Sequence, residues 1–202
     1  MKYRIIQGNA LIELPKLPPE SLDSLITDPP AGVGFMKGII DWDDNKGGRN
    51  KWVGWLSTIL HQAYLCLKPD SLGLVWTLPR TCGWTQLACE YAGFTVIDSI
   101  VHMFGDRMPH SPGTLKPSHE QWLLIRKGSS QVQVDANRLL GQRWPPNTVL
   151  SHLEECTHEV CDESCPVVYL KAITSFQKSR GGEIITKTQN TNRVYRWSKA
   201  KY

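Results

Sequence analysis

The stretch Ser21–Pro30, SLDSLITDPP, decides how this chain is read. Ser21 to Thr27 has the composition of a short strand, and an acid, Asp28, stands where the strand should end. Two prolines follow. Proline fixes φ and carries no N–H, so Pro29-Pro30 makes a stiff corner and biases Asp28 away from helical geometry. A strand-ending turn is the plain reading of these residues. The other is a corner that holds one carboxylate and one backbone carbonyl at a set separation. Two acceptors held that way suit an –NH₂ group, which has two hydrogens to donate.

Working outward, YRIIQ (3–7) reads as a strand before the Gly8-Asn9 turn, and ALIELPKL continues as a brief helix or extended segment up to Pro18-Pro19. Residues 31–50 carry Gly32, Gly34, Gly38, Gly47 and Gly48 and read as a loop. Residues 51–67 place Trp52, Trp55, Ile59, Leu60 and Ala63 at helical spacing, and Lys68-Pro69-Asp70 reads as the stop. SLGLVWTL (71–78) reads as a strand, TQLACEYAG (85–93) as a helix with Gly93 at its cap, FTVIDSIVHMF (94–104) as a strand and HEQWLLIRK (119–127) as another. Short apolar strands alternating with helices predict an α/β fold with a largely parallel sheet. Past Gly128 the pattern weakens into a loop-rich second region. In open parallel sheets ligands bind beyond the carboxyl ends of the strands, which is where Asp28 stands.

The 202 residues suffice for one ordinary domain with a core and an appended module. No apolar run reaches the ~18 residues of a membrane span, and MKYRIIQGNA lacks the features of a signal peptide. The expectation is a cytoplasmic protein whose six Cys are reduced or metal-bound. Charge is unevenly spread. From Lys171 onward eight Lys/Arg face one acid, Glu183, a net +7, whereas the first 170 residues carry 15 basic and 18 acidic side chains, a net −3. A basic tail on a slightly acidic body suits a polyanion partner or, equally, a solvated terminus.

Several segments in order, QGNALIELPKLPPESLDSLITDPP (7–30), LKPD (67–70), LGLVWTLPR (72–80) and KPSHE (116–120), resemble the amino-group DNA methyltransferases. The resemblance covers roughly residues 3–150 and is closest to the subgroup whose catalytic motif precedes its cofactor motif. It implies a partial Rossmann-like sheet and transfer of a methyl group from S-adenosylmethionine to adenine N6 or cytosine N4 in double-stranded DNA. It implies further that the target base is flipped out of the duplex. Asp28, Pro29 and Pro30 would then be catalytic, with Asp28 and the Pro29 carbonyl accepting from the amino group. Asn9 stands where the family often has an acid near the cofactor, and Asp28 would also face the cofactor. The family has an aromatic residue at the position of Ala31 that stacks on the base. Phe35 or Trp42 could take that role, and either could equally anchor its loop. His119 and Glu120 open a strand that borders the base pocket in the family, or form a solvated edge. The family's glycine-rich cofactor loop is matched by neither GVG (32–34) nor GGE (181–183), so a second polypeptide or a missing segment would have to supply it. The rival reading is a non-catalytic, zinc-containing DNA-binding remnant or subunit.

LSHLEECTHEVCDESCPV (150–167) holds His152, Cys156, Cys161 and Cys165, with His158 also inside. Four S/N ligands suit tetrahedral zinc, and a helix would put His152 with Cys156, and Cys161 with Cys165, on common faces. Buried free thiols around a small turn are the alternative. Cys66, Cys82 and Cys89 read as core. The expected division is a methyltransferase core over residues 1–128 and, over 129–202, a Cys/His knuckle with a basic region suited to target recognition. In the latter, Lys and Arg would neutralise phosphates, Gln189, Asn190 and Asn192 could reach base edges, and Tyr195, Trp197 and Tyr202 add aromatic surface.

Overall fold

The structure is a computed structural model. It describes residues 3–35, 38, 42–103, 113, 115, 117–129, 131–138, 144–152, 156–157, 160, 165 and 167. Two compact units are resolved by their internal contacts: Met1–His102 with His119–Val149, and Met103–Ser118 with Leu150–Tyr202.

In the first unit a short helix, α1 (Ala10–Glu13), runs into a 3₁₀ turn at Leu14–Lys16. The Asn9 side chain starts α1 by accepting from the Leu11 N–H at 3.0 Å. Strand β1 (Leu22–Thr27) follows, then α2 (Arg49–Cys66), β2 (Leu67–Thr77), α3 (Cys82–Tyr91), β3 (Thr95–Met103), β4 (His119–Arg126) and a three-residue β5 (Thr148–Leu150). The sheet order is β1-β2-β4-β3-β5. Residues 3–7, expected as a strand, form none and pair with no strand among the described residues.

β1 and β2 are parallel, with Thr27 opposite Val75. β2 and β4 are antiparallel, with Thr77 opposite Gln121. The expected largely parallel sheet therefore needs correcting at its centre. β2 also starts earlier than expected. Pairing moves from Leu22–Leu67 to Ser24–Leu72, so Lys68-Pro69-Asp70 is a bulge within the strand rather than a break before it. The bulge sits where Pro69 has no N–H to contribute to a ladder. At the middle of the sheet, a Cβ at Gly73 would stand 2.8 Å from the Leu25 carbonyl oxygen and 3.1 Å from Ile125, so only glycine lets β1 and β4 flank β2 this closely.

α2 turns one face to the core, burying Trp52, Val53, Leu56, Leu60, Ala63 and Cys66. Of these, Trp52, Val53, Leu56 and Leu60 pack with Leu67, Val75, Ala88, Cys89, Phe94, Leu123 and Ile125 in one cluster. Burying each large side chain contributes about 1.5–3 kcal/mol. Lys127, just after β4, ties off α2 by donating from Nζ to the carbonyls of Tyr64 (3.1 Å) and Leu67 (2.7 Å) and lying over the Tyr64 ring. Cys66 and Cys89 are buried as expected, and burial first of all pushes the Cys89 thiol up to about 12. Among the described residues no helix is long and apolar enough to cross a membrane.

Candidate active site

β1 delivers Asp28 to the carboxyl edge of the sheet. Thr27 is its last paired residue, so Asp28 emerges exposed at the rim while Pro29 is buried and Pro30 half-buried beneath it. The prolines thus fix the direction in which the acid leaves the sheet. A second carboxylate arrives at the same edge because β4 runs the other way. With Gln121 opposite Thr77 at the end of β2, the amino end of β4 carries His119 and Glu120 to the rim from which Asp28 leaves. Although Asp28 is exposed overall, partial desolvation of its carboxyl chiefly, and then the Glu120 charge, raise it above its ordinary value. Glu120 in turn meets His102, near the end of β3, with Oε1 2.8 Å from the ring Nδ1. Asp28, Glu120 and His102 therefore form a polar rim that the sequence did not show as a unit. His102 was not singled out there, since its position follows from the strand order.

The loop after Pro30 is shaped by a residue that sequence reasoning also missed. Asp43 is only 2% exposed. Its Oδ1 accepts from the Gly32 N–H and its Oδ2 from the Phe35 N–H, each at 2.8 Å, and its own carbonyl accepts from the Gly34 N–H at 2.9 Å. One buried carboxylate thus folds residues 32–35 over itself, which satisfies the charge that burial would otherwise penalise. Nothing in DWDDNK marks Asp43 out from its acidic neighbours Asp41 and Asp44. Gly32, at φ +70°, lies directly on the buried Trp52 indole. Trp52 is packed in turn against Trp55 and Trp84. Hence the corner and its loop rest on the α2 core rather than hanging free.

Ala31 is half-buried, whereas Phe35 and Trp42 are 54% and 56% exposed, so both aromatic rings present open surface near the corner. Asn9 spends its Oδ1 on the α1 cap. Beside it, a groove of about 300 Å³ runs along β1, lined by Ile6, Gly8, Ala10, Glu13, Leu25 and Thr27 among others. This apolar wall with Glu13 and Thr27 suits one side of a nucleoside-like cofactor. No described residues add a glycine-rich cradle: a Cβ at Gly32 would meet Trp52 and one at Gly8 would meet Glu13, so both glycines answer to packing. In the second unit, His152, Cys156 and Cys165 come together. Cys161 and His158, and the basic tail from Lys171 to Tyr202, lie outside the described residues. His152 and Cys156 themselves lie outside helix.

Comparison with known proteins adds independent findings. The family model N6_N4_Mtase, described as DNA methylase, matches residues 22–199. DNA adenine methyltransferase YhdJ of Escherichia coli (strain K12) is 29% identical over 138 residues, which is 67% of this chain and 45% of that protein. Among solved structures, the cytosine-N4-specific PvuII DNA methyltransferase is 17% identical, with a TM-score of 0.50 over 75% of this chain and 58% of that one, a likeness of fold. The chain spans about half the length of these relatives.

Proposed function

The chain belongs to the DNA methylase family, and from that premise we propose that it provides the catalytic corner of an S-adenosylmethionine-dependent DNA amino-methyltransferase. The observation that carries this reading is the placement of Asp28-Pro29-Pro30 at the carboxyl edge of β1, with Glu120 brought to the same rim by antiparallel β4. The substrate is the exocyclic amino group of adenine or cytosine in double-stranded DNA, with the base flipped out so that the group is accessible.

In this reading Asp28 and the Pro29 carbonyl each accept one N–H of the amino group. Holding both hydrogens draws the nitrogen lone pair out of conjugation with the ring and gives it a fixed direction. The Asp28 carboxylate also stabilises the positive charge that develops on nitrogen. When bound, S-adenosylmethionine supplies an electrophilic methyl on its sulfonium. The groove along β1, with Asn9 and Thr27, would form one wall for it, and a further segment or a second polypeptide would supply the rest. Phe35 or Trp42 stands in for the aromatic residue replaced by Ala31, since stacking on a flipped base is worth roughly 1–3 kcal/mol. His119 and Glu120 border the base, and Glu120 orients His102 through their hydrogen bond.

Residues 1–128 are assigned the catalytic part and residues 129–202 target recognition. Free thiols at Cys66, Cys82 and Cys89 fit a cytoplasmic location. The test is Asp28→Ala. Methyl transfer should fall by about 10²–10³, with DNA affinity and its steep salt dependence retained. Full activity in the variant would refute the mechanism. The rival reading is a DNA-binding remnant, and binding of S-adenosylmethionine to this chain by calorimetry would exclude it.

A further inference from the structure

The second unit holds a cluster that the methyl-transfer reading does not use. Among the described residues, Cys165 is the only fully buried hydrophobic side chain in that unit, at 0% exposure. Around it stand His152, exposed, and Cys156, half-buried, and one ligand atom from each lies within 4.8 Å of the others. Cys165 Sγ is 3.6 Å from His152 Nδ1.

That spacing can be compared with what an ion would require. Zinc binds thiolate sulfur at about 2.3 Å and imidazole nitrogen at about 2.0–2.1 Å in a tetrahedron, which sets the S···N edge near ~3.6 Å and the S···S edge near ~3.8 Å. The observed S···N distance equals the first edge, and the 4.8 Å limit on the other separations leaves only about an ångström for the cluster to close. Two described residues near Cys156 are also held together. The Thr157 N–H donates to the Val160 carbonyl at 2.8 Å, and the Val160 N–H donates to Thr157 Oγ1 at 3.0 Å.

We propose that His152, Cys156 and Cys165 bind a structural zinc ion, with Cys161 as the fourth ligand. Cys161 is assigned from the sequence, where it follows Val160 directly and completes a three-thiolate, one-imidazole set. Soft thiolates in a tetrahedral set select zinc over the oxygen-seeking cations. Binding displaces the protons of the three thiols and keeps the imidazole neutral, so affinity falls as pH is lowered. The ion would cross-link the segments that carry His152, Cys156 and Cys165. The function is separate from methyl transfer: nothing in the site brings substrate chemistry to the ion.

The experiment is elemental analysis of the full purified chain, alone and after cobalt exchange. The expected result is stoichiometric zinc, and a cobalt form with the intense visible bands of tetrahedral coordination and a thiolate-to-cobalt charge-transfer band. Cys156→Ser and Cys165→Ser should lose the metal, while Cys82→Ser, in the other unit, should keep it. Should the Cys165 variant fail to fold, the cobalt spectrum of the parent chain decides by itself. Cys161→Ser should weaken the charge-transfer band, and an unchanged spectrum would remove Cys161 from the ligand set. A folded chain that carries no zinc and takes up no cobalt, octahedral cobalt, or an iron–sulfur chromophore would overturn the proposal.

Discussion

Gly32 and Gly34 offer a controlled pair for testing how the catalytic corner is anchored. Both have positive φ, +70° and +68°, so alanine at either position bears the same backbone penalty, on the order of 1–2 kcal/mol. They differ in surroundings. A Cβ at Gly34 meets nothing within 4 Å, whereas a Cβ at Gly32 would stand 2.5 Å from Trp52 Nε1 and 2.8 Å from its Cδ1. Trp52 is fully buried, with the Trp84 ring centroid 5.9 Å from its own and that of Trp55 6.5 Å away, so the indole has no free side to retreat to. Overpacking of this kind costs about 1–3 kcal/mol. Gly32→Ala should therefore destabilise by about 2–5 kcal/mol and Gly34→Ala by about 1–2 kcal/mol. Urea unfolding followed by circular dichroism reads the difference as separated midpoints at a common slope. In thermal unfolding the gap corresponds to roughly 2–4 °C per kcal/mol. Equal destabilisation by the two variants would refute the reasoning, because it would mean that Trp52 does not support the loop.

Two further predictions concern the same rim. Asp43→Asn replaces one of two accepting oxygens by a donor, leaves a buried N–H unsatisfied, and should cost about 1–3 kcal/mol; hydrogen exchange at the Gly32 and Phe35 amides should speed up together, and unchanged protection would contradict the assigned bonds. Glu120→Gln should lower the raised Asp28 pKa toward 3.8 without reaching it, since burial is the larger cause. A carboxyl raised in the folded state favours folding below its unfolded pKa, and that contribution is lost as pH rises through the folded value. The variant should therefore lose it at lower pH. A ¹³C titration of the Asp28 carboxyl measures this directly, and an unchanged or higher value would show that Glu120 does not face Asp28.

Much of the first unit was legible because its signals are local. Trp52, Leu60 and Ala63 recur at helical spacing and mark the buried face of α2, and the run ending at Asp28 reads as a strand. Direction was not legible. An apolar run such as WLLI in β4 has the same pattern whichever way it pairs, so the sequence could not show that Glu120 and His102 would join Asp28 at one rim. Tyr3–Gln7 has strand-like residues and no strand to pair with, and the Lys68-Pro69-Asp70 segment carries stop signals that the sheet absorbed as a bulge. Asp43 was hidden because its role depends on tertiary burial rather than on its neighbours. His152, Cys156 and Cys165 stand close in the sequence, and their side chains come together in the structure.

The most direct test of the central claim is methyl transfer from labelled S-adenosylmethionine to double-stranded DNA, with the product nucleosides separated by mass spectrometry. It should be run with this chain alone and with any companion polypeptide that supplies the glycine-rich loop. The account predicts N6-methyladenine or N4-methylcytosine in at least one arrangement, lost in Asp28→Ala while the fold persists. A methyl group on ring carbon, transfer that survives Asp28→Ala, or no transfer in either arrangement would contradict it.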